Sequence, residues 1–210
     1  MRVLVACEES QAVANAFREL GHEAYSCDLI ACGGGHPEYH IQVDAVELLK
    51  IKWDMIIAHP PCTYMSKAGA RWMYPKAGVL SQERYALAMK AKEFFMRFLN
   101  ASCPRICVEN PRPLKVVGLP PPTQIIQPYE FGHPYSKATL LWLKGLPALK
   151  ATNILTEYTP YLPSNTGAFS RGGGGSRGVA HNATTASKTF PGVARAMAEQ
   201  WGGLTQWSEM

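Results

Sequence analysis

The stretch WDMIIAHPPC, residues 53–62, gives the clearest indication of the fold. It begins with a mostly apolar run, WDMIIA at 53–58, which is typical of a strand buried on both faces of a sheet. A histidine, two prolines and a cysteine follow directly, so a rigid turn would hold a thiol just beyond the strand. In open α/β sheets, ligands bind beyond the carboxyl ends of the strands. The stretch therefore predicts a parallel sheet with a candidate site at Cys62.

Strands and helices alternate on both sides of this stretch. RVLVAC is short, β-branched and apolar, which is typical of a strand, and Ser10 is placed to cap the helix that follows. Ser81 stands in the same position before a run with apolar residues at helical spacing. The alternation predicts an α/β fold with a mostly parallel, doubly wound sheet. The predicted strands are 2–7, 22–28, 53–58 and 105–110, and the predicted helices are 11–20 and 81–101.

The chain changes character after the last of these strands. The next part is rich in proline and favours β structure, which predicts a small antiparallel or irregular extension of the sheet. It is followed by a part with four consecutive glycines flanked by Arg171 and Arg177, where we expect a short mobile region that contacts substrate. A last helix is expected to begin near Pro191. The predicted single catalytic domain, 1–210, thus divides into a core at 1–110, an extension at 111–150, a mobile region at 151–189 and a C-terminal helix at 190–210.

Composition limits the classes of protein that remain. With 210 residues and 47% hydrophobic content, the chain can bury a full core. It has no long apolar run and no secretion signal, so we expect a cytoplasmic protein without membrane spans. The six cysteines are then expected to be reduced thiols. The net charge of +5 permits a polyanionic partner without requiring one.

Polar side chains follow the predicted strands, at the edge where a ligand would bind. Asp28 ends the second strand, where a carboxylate can accept hydrogen bonds from ribose hydroxyls; capping of a turn is an equally good interpretation. No GxGxxG precedes it, which favours a nucleoside-type cofactor over a dinucleotide. Cys62 alone is more often a buried structural thiol. Glu109, at the end of the neighbouring strand, makes a nucleophile with an acid partner the stronger interpretation.

Three histidines and one cysteine offer weaker signals of function. His59 is equally consistent with a functional role and with a hydrogen bond inside a turn. Cys32, His36 and His40 do not have the spacing of a standard zinc module, and we predict no metal site.

Four blocks of the sequence resemble the DNA cytosine-5 methyltransferases. DMIIAHPPCTYMSKAG at 54–69 is similar to the catalytic block of that family, and ICVENP at 106–111 is similar to its Glu-Asn block. FGHPYSKATLLWL at 131–143 resembles the block with spaced basic residues, and FPGVARAMAEQW at 190–201 resembles the C-terminal helix that returns to the cofactor pocket. The resemblance indicates a short member of the kind that phages and mobile elements carry, with a reduced target-recognition region.

The resemblance implies a Rossmann-like fold that binds S-adenosylmethionine and acts on DNA. Cys62 would attack C6 of cytosine and Glu109 would hold N3, so that C5 takes the methyl group. Asn110 and Ser66 would complete the catalytic set. The residues implied in cofactor binding are Cys7, Glu8, Glu9, Ser10, Asp28, Leu29, Asp44, Ala45, His59 and Pro60. The residues implied in substrate binding are Pro61, Arg71, Lys137, Thr139, Arg171 and Arg177.

Departures from the family pattern keep two other functions open. The first strand is followed by a loop without glycine, and Lys137 and Thr139 stand where the family has two arginines. One alternative is C5 modification of a free pyrimidine nucleotide, or modification with a different donor. The other is a non-catalytic nucleic-acid-binding protein that keeps the fold.

Overall fold

A seven-stranded sheet forms the centre of the protein. The computed structural model describes residues 1–163, 179–181 and 188–203. The strands are β1 (Arg2–Ala6), β2 (Glu23–Cys27), β3 (His40–Ile41), β4 (Met55–Ala58), β5 (Ile106–Pro111), β6 (Gln124–Ile126), β7 (Tyr135–Ser136), β8 (Thr139–Lys144), β9 (Thr159–Pro163) and β10 (Val179–His181). The helices are α1 (Ala12–Glu19), α2 (Ala70–Met73), α3 (Gln82–Leu99) and α4 (Pro191–Gly202).

The strand order in the central sheet is β3-β2-β1-β4-β5-β8-β6. Strands β1 to β5 pair in parallel, and β8 runs antiparallel to both β5 and β6. The order reverses between β1 and β4, which is the point where open α/β sheets bind ligands. The predicted α/β fold, with a mostly parallel doubly wound sheet and an antiparallel extension, is confirmed. Strands β7, β9 and β10 form a separate small sheet.

Side chains alternate between the two faces of the sheet and build two cores. Leu4 and Ile56 pack with Phe95 of α3 on one face. Val5 and Ile57 pack on the other face with α1 and α4. Burial of one such side chain stabilises the fold by about 1.5–3 kcal/mol, so both faces hold the strands rigidly. The residues at the ends of these strands therefore occupy fixed positions.

The two predicted helix caps had different outcomes. Ser81 caps α3 as predicted, because its hydroxyl accepts a hydrogen bond from the Arg84 backbone N–H at 3.3 Å. The prediction that Ser10 caps the next helix was wrong. Gln11 occupies the N-cap of α1 with a left-handed φ of 55° and makes no side-chain cap bond. The carboxylate of Glu8 satisfies the free N–H groups at this helix end instead.

The C-terminal helix α4 begins at Pro191 as predicted and packs against α1. Most of the predicted mobile region lies outside the described residues, and so do Arg171 and Arg177. Among the helices of the described ranges, none has both the length and the apolar character that a membrane crossing requires.

Candidate active site

Neighbouring strands bring the candidate residues to one edge of the sheet. Ala6 of β1 is in register with Ala58 of β4, which is in register with Val108 of β5. The next residue along each strand therefore stands at the same level: Cys7, His59 and Glu109. We call the ends of β1, β2 and β3 the acidic half of this edge, defined by Glu8, Glu9, Asp28 and Asp44. We call the ends of β4, β5 and β8 the basic half, defined by Cys62, Lys67, Glu109, Arg112 and Lys137.

Cys62 is a half-buried free thiol in the turn that follows β4. Its carbonyl oxygen accepts hydrogen bonds from the N–H groups of Met65 and Ser66 at 3.0 and 2.9 Å, which close the turn. Burial raises the pKa of the thiol, and the negative charge of Glu109 raises it further. A hydrogen bond with the Ser66 side chain and the positive charge of Lys137 act in the opposite direction. Cys62 is therefore a neutral thiol at rest.

The turn is fixed from the neighbouring strand. The Asn110 side chain, which is 1% exposed, donates a hydrogen bond from Nδ2 to the Pro60 carbonyl at 2.7 Å. The backbone N–H of Leu114 donates to the Met65 carbonyl at 2.8 Å, and the backbone N–H of Lys67 donates to the Arg112 carbonyl at 3.0 Å. These bonds hold the thiol at one distance from the end of β5.

Glu109 and His59 form a buried pair beside this thiol. Nδ1 of His59 lies 3.2 Å from Oε2 of Glu109, and the two side chains are 10% and 19% exposed. The family resemblance implied that His59 binds the cofactor, whereas this hydrogen bond joins it to the Glu109 carboxyl group. No sequence pattern could pair two residues that are 50 positions apart.

Lys137 and Thr139 lie beside Glu109, where the family block implied substrate contacts. The three residues line a cavity of about 20 Å³, which has room for about one water-sized group. The Lys137 ammonium is 5.8 Å from the ring centroids of both Tyr161 and Phe190. Cation–π contacts of this kind hold the ammonium in place, and its positive charge favours the thiolate form of Cys62.

Further cations surround the thiol turn. Arg84 donates from Nη2 to the Thr63 carbonyl at 2.6 Å and lies 4.3 Å from the Tyr64 ring centroid. Arg71 is exposed and stacks on the equally exposed Trp72 at 4.7 Å. Pro61 is exposed at the mouth of the turn. Together with the basic half, these residues offer positive charge and an exposed aromatic ring to a polyanionic ligand.

The acidic half begins with an unusual loop. Cys7 has a left-handed φ of 59°, a conformation that glycine adopts far more readily. The buried carboxylate of Glu8 accepts hydrogen bonds from the N–H groups of Val13 and Ala14 at 2.7 and 3.2 Å. Burial raises the pKa of Glu8. Because this carboxylate already occupies the positive end of α1, the helix has no free N-terminus for a phosphate group.

Three more carboxylates complete the acidic half. Asp28 accepts from the Ile30 N–H at 3.0 Å, and Asp44 accepts from the Val46 N–H at 3.0 Å, so each caps a turn with one oxygen. Burial raises the pKa of the Cys7 thiol strongly, and the charges of Asp28 and Asp44 raise it further. Both acids therefore lie close to Cys7.

The other residues implied in cofactor binding differ in exposure. Leu29 is 72% exposed, whereas Ala45 and Pro60 are buried and Ser10 is half-buried.

Glu9 suggests what this half can bind. Its Oε1 lies 3.8 Å from Nζ of Lys188, while its Oε2 is buried without a hydrogen-bond partner among the described residues. A buried, unpaired carboxylate oxygen suits a donor of hydrogen bonds or a cation. The acidic half could therefore hold a cationic ligand that also donates hydrogen bonds. Lys188 was not predicted from the sequence, since only the fold brings it close to Glu9, which is 179 positions away.

A glycine loop at residues 33–35 packs over the turn that follows β1 in the acidic half. The Gly33 N–H donates to the Glu9 carbonyl at 2.8 Å. A Cβ atom on Gly34 would lie 2.4 Å from Cβ of Gln11 and 2.5 Å from the Ser10 carbonyl oxygen, so only glycine fits. Gln11 fixes the loop further, donating to the His36 carbonyl at 2.9 Å. The glycines that are missing from the first loop thus stand on the loop that packs over it.

Within the described ranges, no cluster of histidine, cysteine and acidic side chains has the arrangement of a metal site. The three residues considered for zinc make other contacts: Cys32 with Gln11, His36 with Glu38, and His40 with Ser26.

Comparisons with known proteins show likenesses to solved structures at low sequence identity. No protein-family model and no curated protein matches the chain. A DNA modification methyltransferase encoded within a prophage of E. coli superposes with a TM-score of 0.43 at 14% identity, over 68% of this chain and 46% of that one. A mutant of Spodoptera frugiperda DNMT2 superposes with a TM-score of 0.36 at 14% identity, over 79% of this chain and 56% of that one. The chain spans about half the length of these two proteins. At such identity and superposition scores, the likeness does not assign an activity to this chain.

Proposed function

We propose that the protein transfers a methyl group from S-adenosylmethionine to C5 of cytosine in DNA, through a covalent bond to Cys62. The observation that carries this proposal is the basic half of the sheet edge. There a thiol, a carboxyl group and a lysine ammonium interact electrostatically across the ends of adjacent strands. This is the set that nucleophilic addition to a pyrimidine ring requires, because the ring must be attacked at C6 and protonated at N3 together.

Glu109 and Cys62 divide the chemistry between them. Sγ of Cys62 forms a bond to C6, and the proton of the thiol leaves to solvent or to a neighbouring base. Glu109 delivers a proton to N3, so the electron pair of the ring moves toward C5 and makes it nucleophilic. After methyl transfer the N3 proton returns to Glu109, the C5 proton passes to water, and Sγ leaves C6 as a thiolate, which restores the ring.

Lys137 and Ser66 support the thiolate. The ammonium of Lys137 stabilises the negative sulfur, and the hydrogen bond with Ser66 favours the same charged form. The thiol is neutral at rest, so the thiolate forms only when a substrate ring is in place. This protects Cys62 from side reactions with solvent oxidants.

The acidic half would hold the donor. When bound, S-adenosylmethionine supplies an electrophilic methyl group. Glu9 and Asp28 would bind its ammonium group and ribose hydroxyls, and the negative charge of this half favours a cationic donor over an anionic one.

Thr139 favours a second candidate, which is C5 modification of a free pyrimidine nucleotide. Its hydroxyl donates to the Lys137 carbonyl at 3.1 Å and lies beside the small cavity at Glu109. A short threonine in this position leaves the substrate ring less tightly enclosed than an arginine would.

The experiment is transfer of a labelled methyl group from S-adenosylmethionine to duplex DNA, single-stranded DNA and deoxycytidine monophosphate. The Cys62→Ala variant should lose transfer completely. The matched control is Cys103→Ala, because Cys103 contacts the Trp53 and Arg105 carbonyls at the opposite edge of the sheet. Mass analysis should identify 5-methylcytosine.

Three results would change the proposal. Transfer by Cys62→Ala at the wild-type rate, or a product methylated at the exocyclic N4, would refute the covalent C5 mechanism. Transfer to the nucleotide but not to either DNA would select the second candidate.

A further inference from the structure

His59 is the buried titratable group that the reaction proposed above leaves unused. Its side chain is nine-tenths buried, Nδ1 contacts Oε2 of Glu109, and Nε2 is buried without a hydrogen-bond partner among the described residues. A buried imidazole with one unpaired nitrogen is costly to the fold, because that nitrogen has lost its hydrogen bonds to water and has gained none in the protein. Such a group indicates a role beyond packing.

Charged groups reach His59 from three elements. Glu109 on β5 contacts it directly, Glu8 after β1 acts on it by its charge, and Lys137 before β8 opposes them. Cys62 lies three residues away in the same turn. Burial disfavours the imidazolium, but the hydrogen bond and charge of Glu109 together with the charge of Glu8 outweigh burial, so the pKa of His59 is raised.

Glu8 cannot easily leave this arrangement. Its carboxylate is fixed by two backbone N–H groups at the start of α1, at 2.7 and 3.2 Å. The imidazole is therefore acted on by one carboxylate that is committed to a helix end and contacts a second, Glu109, which also lines the small cavity beside Lys137 and Thr139. Glu8, which is fixed at the start of α1, acts on His59 by its charge, and His59 contacts the carboxyl group of Glu109.

We propose that His59 is the positioning residue that orients Glu109 and supplies it with the proton that the bound pyrimidine ring receives at N3. This inference rests on the proposed function. When Sγ adds to C6, a proton moves from Nδ1 of His59 to the Glu109 carboxylate, and one proton moves from Glu109 to N3. His59 becomes neutral, Glu109 ends in its initial state and the ring has gained one proton. The proton returns along the same path when Sγ leaves.

The first test needs no turnover. The pKa of His59 is measured by NMR titration of its imidazole carbons and nitrogens in the wild type and in Glu109→Gln. The glutamine keeps the shape and removes the charge, so the pKa of His59 should fall. Glu93→Gln is the control, because Glu93 pairs with Arg97 on the exposed face of α3. An unchanged pKa of His59 in Glu109→Gln would refute the proton-sharing pair, whether or not methyl transfer is ever detected.

The second test is the pH dependence of methyl transfer. In the wild type, kcat should be constant at low pH and fall as the pH rises through the raised pKa of His59, because the pair then lacks its proton. His59→Asn keeps an N–H donor to Glu109 but cannot titrate. It should lower kcat by about 10–100-fold, remove this alkaline limb and leave the dissociation constant for DNA within about threefold of the wild type. His22→Asn, at the opposite edge of the sheet, should resemble the wild type.

The outcomes separate the two proposals. A wild-type protein that transfers no methyl group to any of the three substrates counts against the proposed function, and the NMR titration still decides whether His59 and Glu109 share a proton. An active wild type with an unchanged alkaline limb in His59→Asn refutes the role of His59 alone. Equal losses of kcat and DNA affinity in His59→Asn would show a merely structural role and would also refute it.

Discussion

The two halves of the sheet edge carry opposite charges and are built in different ways. In the acidic half, the carboxylate of Glu8 occupies the start of α1 and the glycine loop at 33–35 packs over the first turn, while Asp44 is exposed. In the basic half, Cys62 is half-buried, and Lys67 and Arg112 are exposed. A small cationic donor and a large polyanionic acceptor would need these two environments.

The difference shows how one edge can separate two ligands. Electrostatic attraction falls off within roughly 8–10 Å at physiological salt, so the charges farthest from the boundary between the two halves act mainly on the ligand of their own half. Glu109 is the exception, as a carboxylate within the basic half. Its hydrogen bond to His59 and its effect on Cys62 place it where the substrate ring would lie.

The largest expected effect comes from breaking the acidic half alone, with Gly34→Ala. The new Cβ would overlap both the Gln11 side chain and the Ser10 carbonyl, so the loop must move. We expect the free energy of unfolding to fall by about 3 kcal/mol, and S-adenosylmethionine binding to be lost. DNA binding should persist at a temperature where the variant is folded. Chemical denaturation and calorimetric titration measure these effects.

Gly35→Ala is the control for this change. Gly35 has a φ of +89° but a Cβ there would meet no atom within 4 Å. Gly35→Ala should lower the free energy of unfolding by only about 1 kcal/mol, because backbone strain is the one penalty of the new side chain. Equal losses in the two variants would show that the loop packing does not shape the acidic half.

Local sequence patterns predicted the strands of the sheet and one of the two helix caps. The apolar runs gave β1, β4 and β5 within two residues at either end, and the hydroxyl of Ser81 caps α3 as expected. The cap of α1 was predicted wrongly, because a carboxylate three residues before the N-cap can reach the helix only if Gln11 turns left-handed. That conformation is favoured by tertiary contacts and has no short-range signal.

Contacts between distant residues explain the rest of what the sequence could not predict. The residue types at the strand ends predicted which side chains would meet at the sheet edge. The pairing of His59 with Glu109, and of Glu9 with Lys188, depends on strand order and on the return of α4. A single sequence contains no direct record of such pairs.

A smaller effect is expected from weakening the acidic half without disturbing its fold, with Asp28→Asn. The asparagine keeps an oxygen that can accept from the Ile30 N–H, so the turn should persist. It removes one negative charge and one hydrogen-bond acceptor, and we expect S-adenosylmethionine to bind about tenfold more weakly. Calorimetric titration measures the affinity, with Glu38→Gln on the exposed surface as the control. Unchanged affinity would leave Asp28 with its turn-capping role only.

The smallest expected effect comes from the basic half, with Arg112→Gln. The exposed Arg112 follows β5, and its carbonyl is bonded to Lys67 beside the thiol turn, so its guanidinium is placed to contact a phosphate group. We expect DNA affinity to fall a few-fold and the slope of log affinity against log salt to decrease by about 1, because one phosphate contact is lost. Arg97→Gln, which breaks an exposed pair with Glu93 on α3, should change neither. The salt slope decides between the possible causes of a weaker complex, since a distorted turn would lower affinity at every salt concentration alike. If Arg112→Gln weakened S-adenosylmethionine binding as much as DNA binding, the two halves of the edge would not bind separate ligands.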